Sequence, residues 1–164
     1  MNESTKVIFD YLQVVSQFGQ RQKEAKGWPY GSIEDFILSN GQSFERDFLT
    51  GQEEVPRGQM QQCYKNTFDL CLHDPMFSYV EGYAVARDVP LPLMHAWAVT
   101  PGGNVVDPTW KHGVAYFGVK LPLWYCTQVV CKTQKWGVLD AWTLGFPLLT
   151  GEHIWPLVRK EVKL

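Results

Sequence analysis

Cys63, His95 and Asp107 are the residues of this 164-residue chain whose types and spacing can do chemistry. Cys63 falls in the first turn or two of a helix that the apolar pattern places from about Gln59 to Leu72. A helix N-terminus carries unpaired backbone N–H groups and a partial positive charge, which favours thiolate over thiol. The thiolate is the nucleophile that cysteine hydrolases and acyltransferases need. A lone cysteine is more often a small buried hydrophobe, so its partners decide its role.

His95 lies in the apolar run Met94-His95-Ala96-Trp97-Ala98-Val99, where a buried imidazole must find polar partners. Residues 95, 97 and 99 share one face of that strand. Asp107 follows after the turn Thr100-Pro101-Gly102-Gly103-Asn104. An odd number of loop residues puts His95 and Asp107 on one face of the hairpin. A three-residue loop sets them opposite each other and a five-residue loop sets them diagonally, whereas an even loop separates them. On a shared face the carboxylate accepts from one ring nitrogen, fixes the tautomer and leaves the other nitrogen for the thiol. The same spacing also suits a structural His–Asp pair that ties the hairpin together.

Four further residues are candidates for the oxyanion hole or the cleft. An oxyanion hole needs donors aimed at the developing charge. The backbone N–H of Cys63 is one such donor, and the side-chain amides of Gln59 and Gln62 are others, although glutamines near a helix start are usually solvated. Glu81 stands in an apolar strand and can line the cleft, with an edge position facing water as the commoner outcome. Trp97 shares the His95 face and can cover the imidazole, with plain core packing as the commoner role. Gly82 permits close backbone approach. His73, His112 and His153 follow no ligand spacing and read as surface residues. Cys71 lies two helical turns after Cys63 and reads as core.

The elements that must position these residues follow from periodicity. Val7, Ile8, Tyr11, Leu12, Val15 and Phe18 mark one face of a helix over 4–18, ended by Gly19 and the polar run Gln20 to Lys26. Ser32 is the N-cap of a second, short helix that turns Ile33, Phe36 and Ile37 inward and stops near Asn40-Gly41. Residues 50–58 form a polar loop, and Asp74-Pro75 ends the helix that carries Cys63. Phe77 to Ala86, Met94 to Val99, Val105 to Asp107 and Ala115 to Leu121 read as strands. Residues 123–134 suit a helix or a strand, and a short helix interrupted by Pro156 is expected from Glu152 onward. Helices first and an antiparallel sheet after them make an α+β pattern in one domain over 1–164, with 1–57 as its helical N-terminal part.

In order along the chain stand a helix-borne Cys63, Glu81-Gly82-Tyr83-Ala84, His95-Ala96-Trp97 and Val106-Asp107-Pro108-Thr109. This series, spanning roughly 58–119, resembles the transglutaminase-like branch of the papain-like cysteine hydrolases. The resemblance implies a papain-like fold with Cys63 as nucleophile, His95 as general base and Asp107 as the orienting acid. It implies an acyl-enzyme formed from an amide or peptide substrate, with no metal or organic cofactor. Many members carry Trp beside the nucleophile, whereas Cys63 lies between Gln62 and Tyr64. The same scaffold also serves non-enzymatic modules that bind or inhibit a protein partner or small ligand in the cleft.

Composition excludes other classes. Hydrophobic residues make up 45% and charged residues 20%, too apolar for intrinsic disorder. A formal net charge of −2 without a basic stripe argues against nucleic acid. No run approaches the ~18 apolar residues of a membrane span. Cys63, Cys71, Cys126 and Cys131 lack the close pairing of a zinc site. Without an export signal at the N-terminus, they read as reduced thiols in a cytoplasmic protein.

Overall fold

The computed structural model of the chain describes residues 3–46 and 55–151. The first helix, α1 (Glu3–Lys26), is longer than the sequence pattern indicates. Gly19 does not end it. A Cβ at Gly19 would lie 2.6 Å from the backbone carbon of Gly31, so this glycine lets the turn after α1 pack against the helix. The polar run beyond it is made largely of Gln, Arg, Lys, Glu and Ala, all good helix formers, and the helix continues through it. The buried stripe is Thr5, Ile8, Leu12, Ser16 and Gly19. Val7 and Tyr11 sit at its margin, and Phe18 is 80% exposed, so the inward face is rotated from the expected one.

Ser32 caps α2 (Ile33–Asn40) as expected, its hydroxyl accepting from the Asp35 N–H at 3.2 Å. Phe36 and Ile37 are buried. Gly41 ends the helix in extended rather than left-handed backbone; its lack of a side chain is needed because a Cβ there would lie 2.6 Å from the Ile37 carbonyl oxygen. The chain then forms β1 (Gln42–Phe44), a strand absent from the sequence reading, so the N-terminal part is not wholly helical. Within the expected polar loop, residues 55–58 are irregular and 50–54 lie outside the described residues.

The Cys63 helix, α3 (Cys63–His73), starts four residues later than the pattern placed it. The hairpin strands β2 (Ser78–Ala86) and β3 (Val89–Val99) follow, then β4 (Val105–Val106) and β5 (Gly113–Lys120). The sheet is wholly antiparallel, in the order β1-β5-β2-β3-β4. Residues 123–133 resolve to a helix, α4 (Leu123–Thr133), and α5 (Pro147–Thr150) closes the described part after a 3-10 turn at Trp142–Leu144. The helix expected from Glu152 onward, and His153, lie outside the described residues.

Strand periodicity divides the core in two. Tyr79, Tyr83, Val85, Ala96, Ala98, Phe117 and Val119 point to one face, where Ile8, Leu12, Phe36, Phe68, Cys71, Cys126 and Val129 from the helices cover them. Val80, Ala84, Trp97, Val99, Val105 and Tyr116 form a second cluster with Phe44 on the other face. Cys71 is therefore core, as its spacing from Cys63 indicated. β2 and β5 approach closely through the pair Gly82 and Gly118. A Cβ on Gly82 would lie 2.3 Å from the Phe117 carbonyl oxygen, and one on Gly118 would lie 2.7 Å from the Trp97 ring. Gly118 makes room for Trp97, and Gly82 lets the β5 backbone approach β2.

β3 is covered by β4 only at Ala98 and Val99. Among the described residues, no strand lies beside the outer edge from Val89 to Trp97. Pro90 and Pro92 fall in this stretch and lack N–H donors, which discourages further strand pairing there.

Candidate active site

The hairpin register settles the geometry between His95 and Asp107. Val99 pairs with Val105, so the connection has five residues, 100–104, closed by Thr100 N–H to the Asn104 carbonyl at 3.0 Å. An odd loop keeps both residues on one face, diagonal to each other. His95 Nε2 lies 2.8 Å from Asp107 Oδ2, and both side chains are almost fully buried. Thr109 and Trp110 each donate a backbone N–H to Asp107 Oδ1 at 2.8 Å. The Tyr116 hydroxyl donates to Oδ2 at 3.0 Å. Four donors thus hold one carboxylate, and Asp107 stays ionised below the usual carboxylate range, its hydrogen bonds outweighing the opposing effect of burial.

Cys63 is the first residue of α3 and is half-buried. Its backbone N–H is among the amides at the helix start that have no acceptor within the helix. Short bonds tie this end of α3 to the Asp107 segment. Gly58 N–H donates to the Pro108 carbonyl at 3.0 Å, and Arg57 Nη1 to the Asp107 carbonyl at 2.9 Å. Asn66 Nδ2 donates to Thr109 Oγ1 at 2.9 Å and to the Gln59 carbonyl at 2.7 Å. Thr67 Oγ1 donates to the Ala96 carbonyl at 3.0 Å, pinning the next turn of α3 to the strand beside His95. Gln61 enters the helix through a left-handed conformation, φ 64°, which costs a non-glycine residue about 1–2 kcal/mol. The turn around Gln61 is therefore held by its surroundings rather than by local preference.

With Nε2 engaged by Asp107, Nδ1 is the imidazole nitrogen left for Cys63. It is buried and has no hydrogen-bond partner, and the Cys63 side chain is near enough to raise the basicity of the ring. Burial lowers the basicity of His95, but Asp107 and Cys63 outweigh it and carry its pKa up to about 9. A pKa near 9 keeps the imidazole protonated at neutral pH.

The remaining sequence candidates fall in different places. Gln59 and Gln62 are exposed and bonded to each other, Gln62 Nε2 donating to Gln59 Oε1 at 2.6 Å, and Gln62 gives α3 no side-chain cap. Trp97 is core. Its ring centroid is 6.4 Å from that of His95, and it packs on Phe44 and Tyr116 at 5.8 and 5.1 Å. Trp110 covers the imidazole instead, stacked at 3.9 Å and 19°.

The expectation that Glu81 faces water is corrected. β2 is a central strand, and Glu81 is 1% exposed on the face opposite His95. Its carboxylate accepts from Tyr79 Oη at 2.7 Å, Val138 N at 2.8 Å and Leu139 N at 2.9 Å, so it anchors the loop after α4. Burial raises its pKa, and those bonds offset only part of the effect. His73 and His112 are exposed as expected.

Sequence reasoning missed Trp110, Tyr116, Arg57 and Asn66. Trp110 follows Asp107-Pro108-Thr109 directly and was the one accessible from local sequence. Tyr116 reaches Asp107 from β5, two strands away from β3, and no spacing rule links them.

Among the described residues no group of three or more His, Cys, Asp and Glu side chains is placed to hold a metal ion. No helix among them is long and apolar enough to cross a membrane. Comparison with protein-family models, with curated proteins and with solved structures finds no match to this chain.

Proposed function

We propose that this chain is a cysteine-dependent hydrolase or acyltransferase of the transglutaminase-like, papain-like type, acting on an amide or peptide bond. One observation supports the reading: a buried imidazole, bonded through Nε2 to a fully satisfied carboxylate, keeps its Nδ1 buried and unbonded, and the Cys63 thiol at the start of α3 is near enough to raise its basicity. A purely structural His–Asp pair gains nothing from leaving the second ring nitrogen buried and unbonded.

The Cys63 thiolate attacks the amide carbonyl carbon, forming a C–S bond, and the carbonyl π electrons move onto oxygen. The Cys63 N–H, unused by the helix, is the first donor for that oxyanion. Collapse breaks the C–N bond, and the leaving amine takes its proton from the His95 imidazolium. A water or a second amine then gives its proton to His95 as it attacks the thioester, which releases the acid or new amide and restores the thiolate. Asp107 keeps the ring oriented and stabilises its charged form. Trp110 shields the pair from water.

Alkylation of the folded protein by iodoacetamide between about pH 5 and 9, mapped by mass spectrometry, tests the reading. Cys63 should react at pH 6, well ahead of buried Cys71 and Cys126, and His95→Ala should slow it. Equal slow reaction of Cys63 in both proteins, rising only above the ordinary thiol range, would show a structural thiol and leave the scaffold as a binding module.

A further inference from the structure

A cavity of about 230 Å³ opens on the face of the sheet where α3 packs. It is smaller than the ~300–1,000 Å³ of pockets that enclose whole drug-sized ligands, and so suits a single side chain. Tyr64, Met94, Trp136 and Trp142 supply its apolar walls, and Glu81 and Asp140 its carboxylates. Tyr64 follows Cys63 and Met94 precedes His95, so the cavity abuts the backbone of both reacting residues, with neighbouring Cα atoms ~3.8 Å apart. Gly137, at φ +100°, turns the loop so that Tyr64 packs against it.

The charges are unbalanced. Every partner of the Glu81 carboxylate is a neutral N–H or O–H group, and no ion pair of Asp140 occurs among the described residues. Lys135 is the one cation among the lining residues, and its Nζ lies 4.9 Å from the Trp142 ring centroid. The chain thus seats an ammonium of its own on the aromatic wall. Lys65 Nζ likewise lies 5.6 Å from the Trp136 ring centroid, yet Trp136 and Trp142 are 40% and 56% exposed, leaving ring surface open to a further cation.

We infer that this cavity is the specificity pocket of the enzyme and takes the ammonium or guanidinium end of a lysine- or arginine-like side chain next to the amide that Cys63 attacks. The inference rests on the nucleophile reading above, and its test separates the two. Alkylation of Cys63 by N-acetyl-lysyl chloromethyl ketone is compared with that by the norleucyl analogue, which has the same chain without the charge. Cation–π and ion-pair contacts of ~1–2 kcal/mol predict a preference of about tenfold for the lysyl reagent. In Asp140→Asn the ratio should fall to about threefold or less. A ratio near one in the unmodified protein overturns the pocket while leaving the nucleophile intact.

If neither reagent labels Cys63, nor does iodoacetamide, the nucleophile reading fails and direct binding decides the pocket. Agmatine titrated into Cys63→Ala protein should change tryptophan fluorescence saturably, and the change should vanish when Asp140→Asn is added. An absent or unsaturable change overturns the pocket.

Discussion

Asp107→Asn changes one atom type at the centre of the site. The amide oxygen can keep the Thr109 and Trp110 N–H bonds, both made to Oδ1. Oδ2, which accepts from His95 Nε2 and Tyr116 Oη, becomes an NH₂ donor. The Tyr116 hydroxyl loses its acceptor. The amide donates to Nε2, which forces the imidazole proton onto Nδ1, toward Cys63, where a neutral ring can no longer accept the thiol proton. Hydrogen bonds to charged groups contribute ~1.5–3 kcal/mol each, so losing the two charge-assisted bonds in a buried site should cost about 3–6 kcal/mol, less what the new neutral bond to Nε2 returns. By analogy with serine triads the turnover rate should fall by up to about 10⁴-fold.

The pH dependence gives the sharper test. His95 has its folded pKa raised from 6.5 to about 9, so its stabilisation is complete below the lower value and is lost as pH rises through the upper one. At ~1.4 kcal/mol per pH unit, the native protein should lose about 3 kcal/mol across that window. The lowered Asp107 pKa reflects the same hydrogen bond and is not counted again. Denaturant unfolding followed by tryptophan fluorescence, from about pH 6 to 9.5, measures this. Asp107→Asn should show little of the slope. A flat profile in the native protein, or an equal slope in the variant, would refute the ion-pair account of the site.

Cys63→Ala should abolish activity while the melting temperature moves by only a few degrees, about 1 kcal/mol; Cys71→Ala, deep in the core, should keep activity and lose at least that much stability, both read by activity assay and calorimetry. Gly82→Ala places a Cβ 2.3 Å from the Phe117 carbonyl oxygen, a backbone atom that cannot yield locally, so a loss of about 3 kcal/mol in denaturant unfolding is expected. Glu81→Ala leaves the Val138 and Leu139 N–H groups and the Tyr79 hydroxyl buried without an acceptor and should cost about 3–5 kcal/mol. Glu81→Gln can still accept from both N–H groups and turn its NH₂ toward Tyr79 Oη, so it should cost about 1 kcal/mol, and hydrogen exchange at 138 and 139 should separate the two variants.

Much of the scaffold was legible in the chain. The Ser32 cap, the strand alternation around His95 and the glycine turn at 100–104 are local signals, each written within a few residues. So was the conditional link between His95 and Asp107, because hairpin parity is fixed once the loop length is known. The sequence did not choose that length; the Val99–Val105 register did. Gly19 looked like a helix terminator because its local cost is the same whether or not another backbone packs on it, and only the approach of Gly31 shows which applies. Glu81 looked solvent-facing because a carboxylate in an apolar strand is costly to bury, and the three donors that offset the cost come from Tyr79 and a loop nearly sixty residues away. Which ring covers the imidazole was likewise a tertiary matter. Trp97 has the right strand parity, but the space left by Gly118 takes it into the core, and Trp110 stacks on His95. Residue type and short spacing determined which groups can react. Long-range packing decided which of them are buried, paired and charged, because burial and hydrogen bonding are set by atoms far away in sequence.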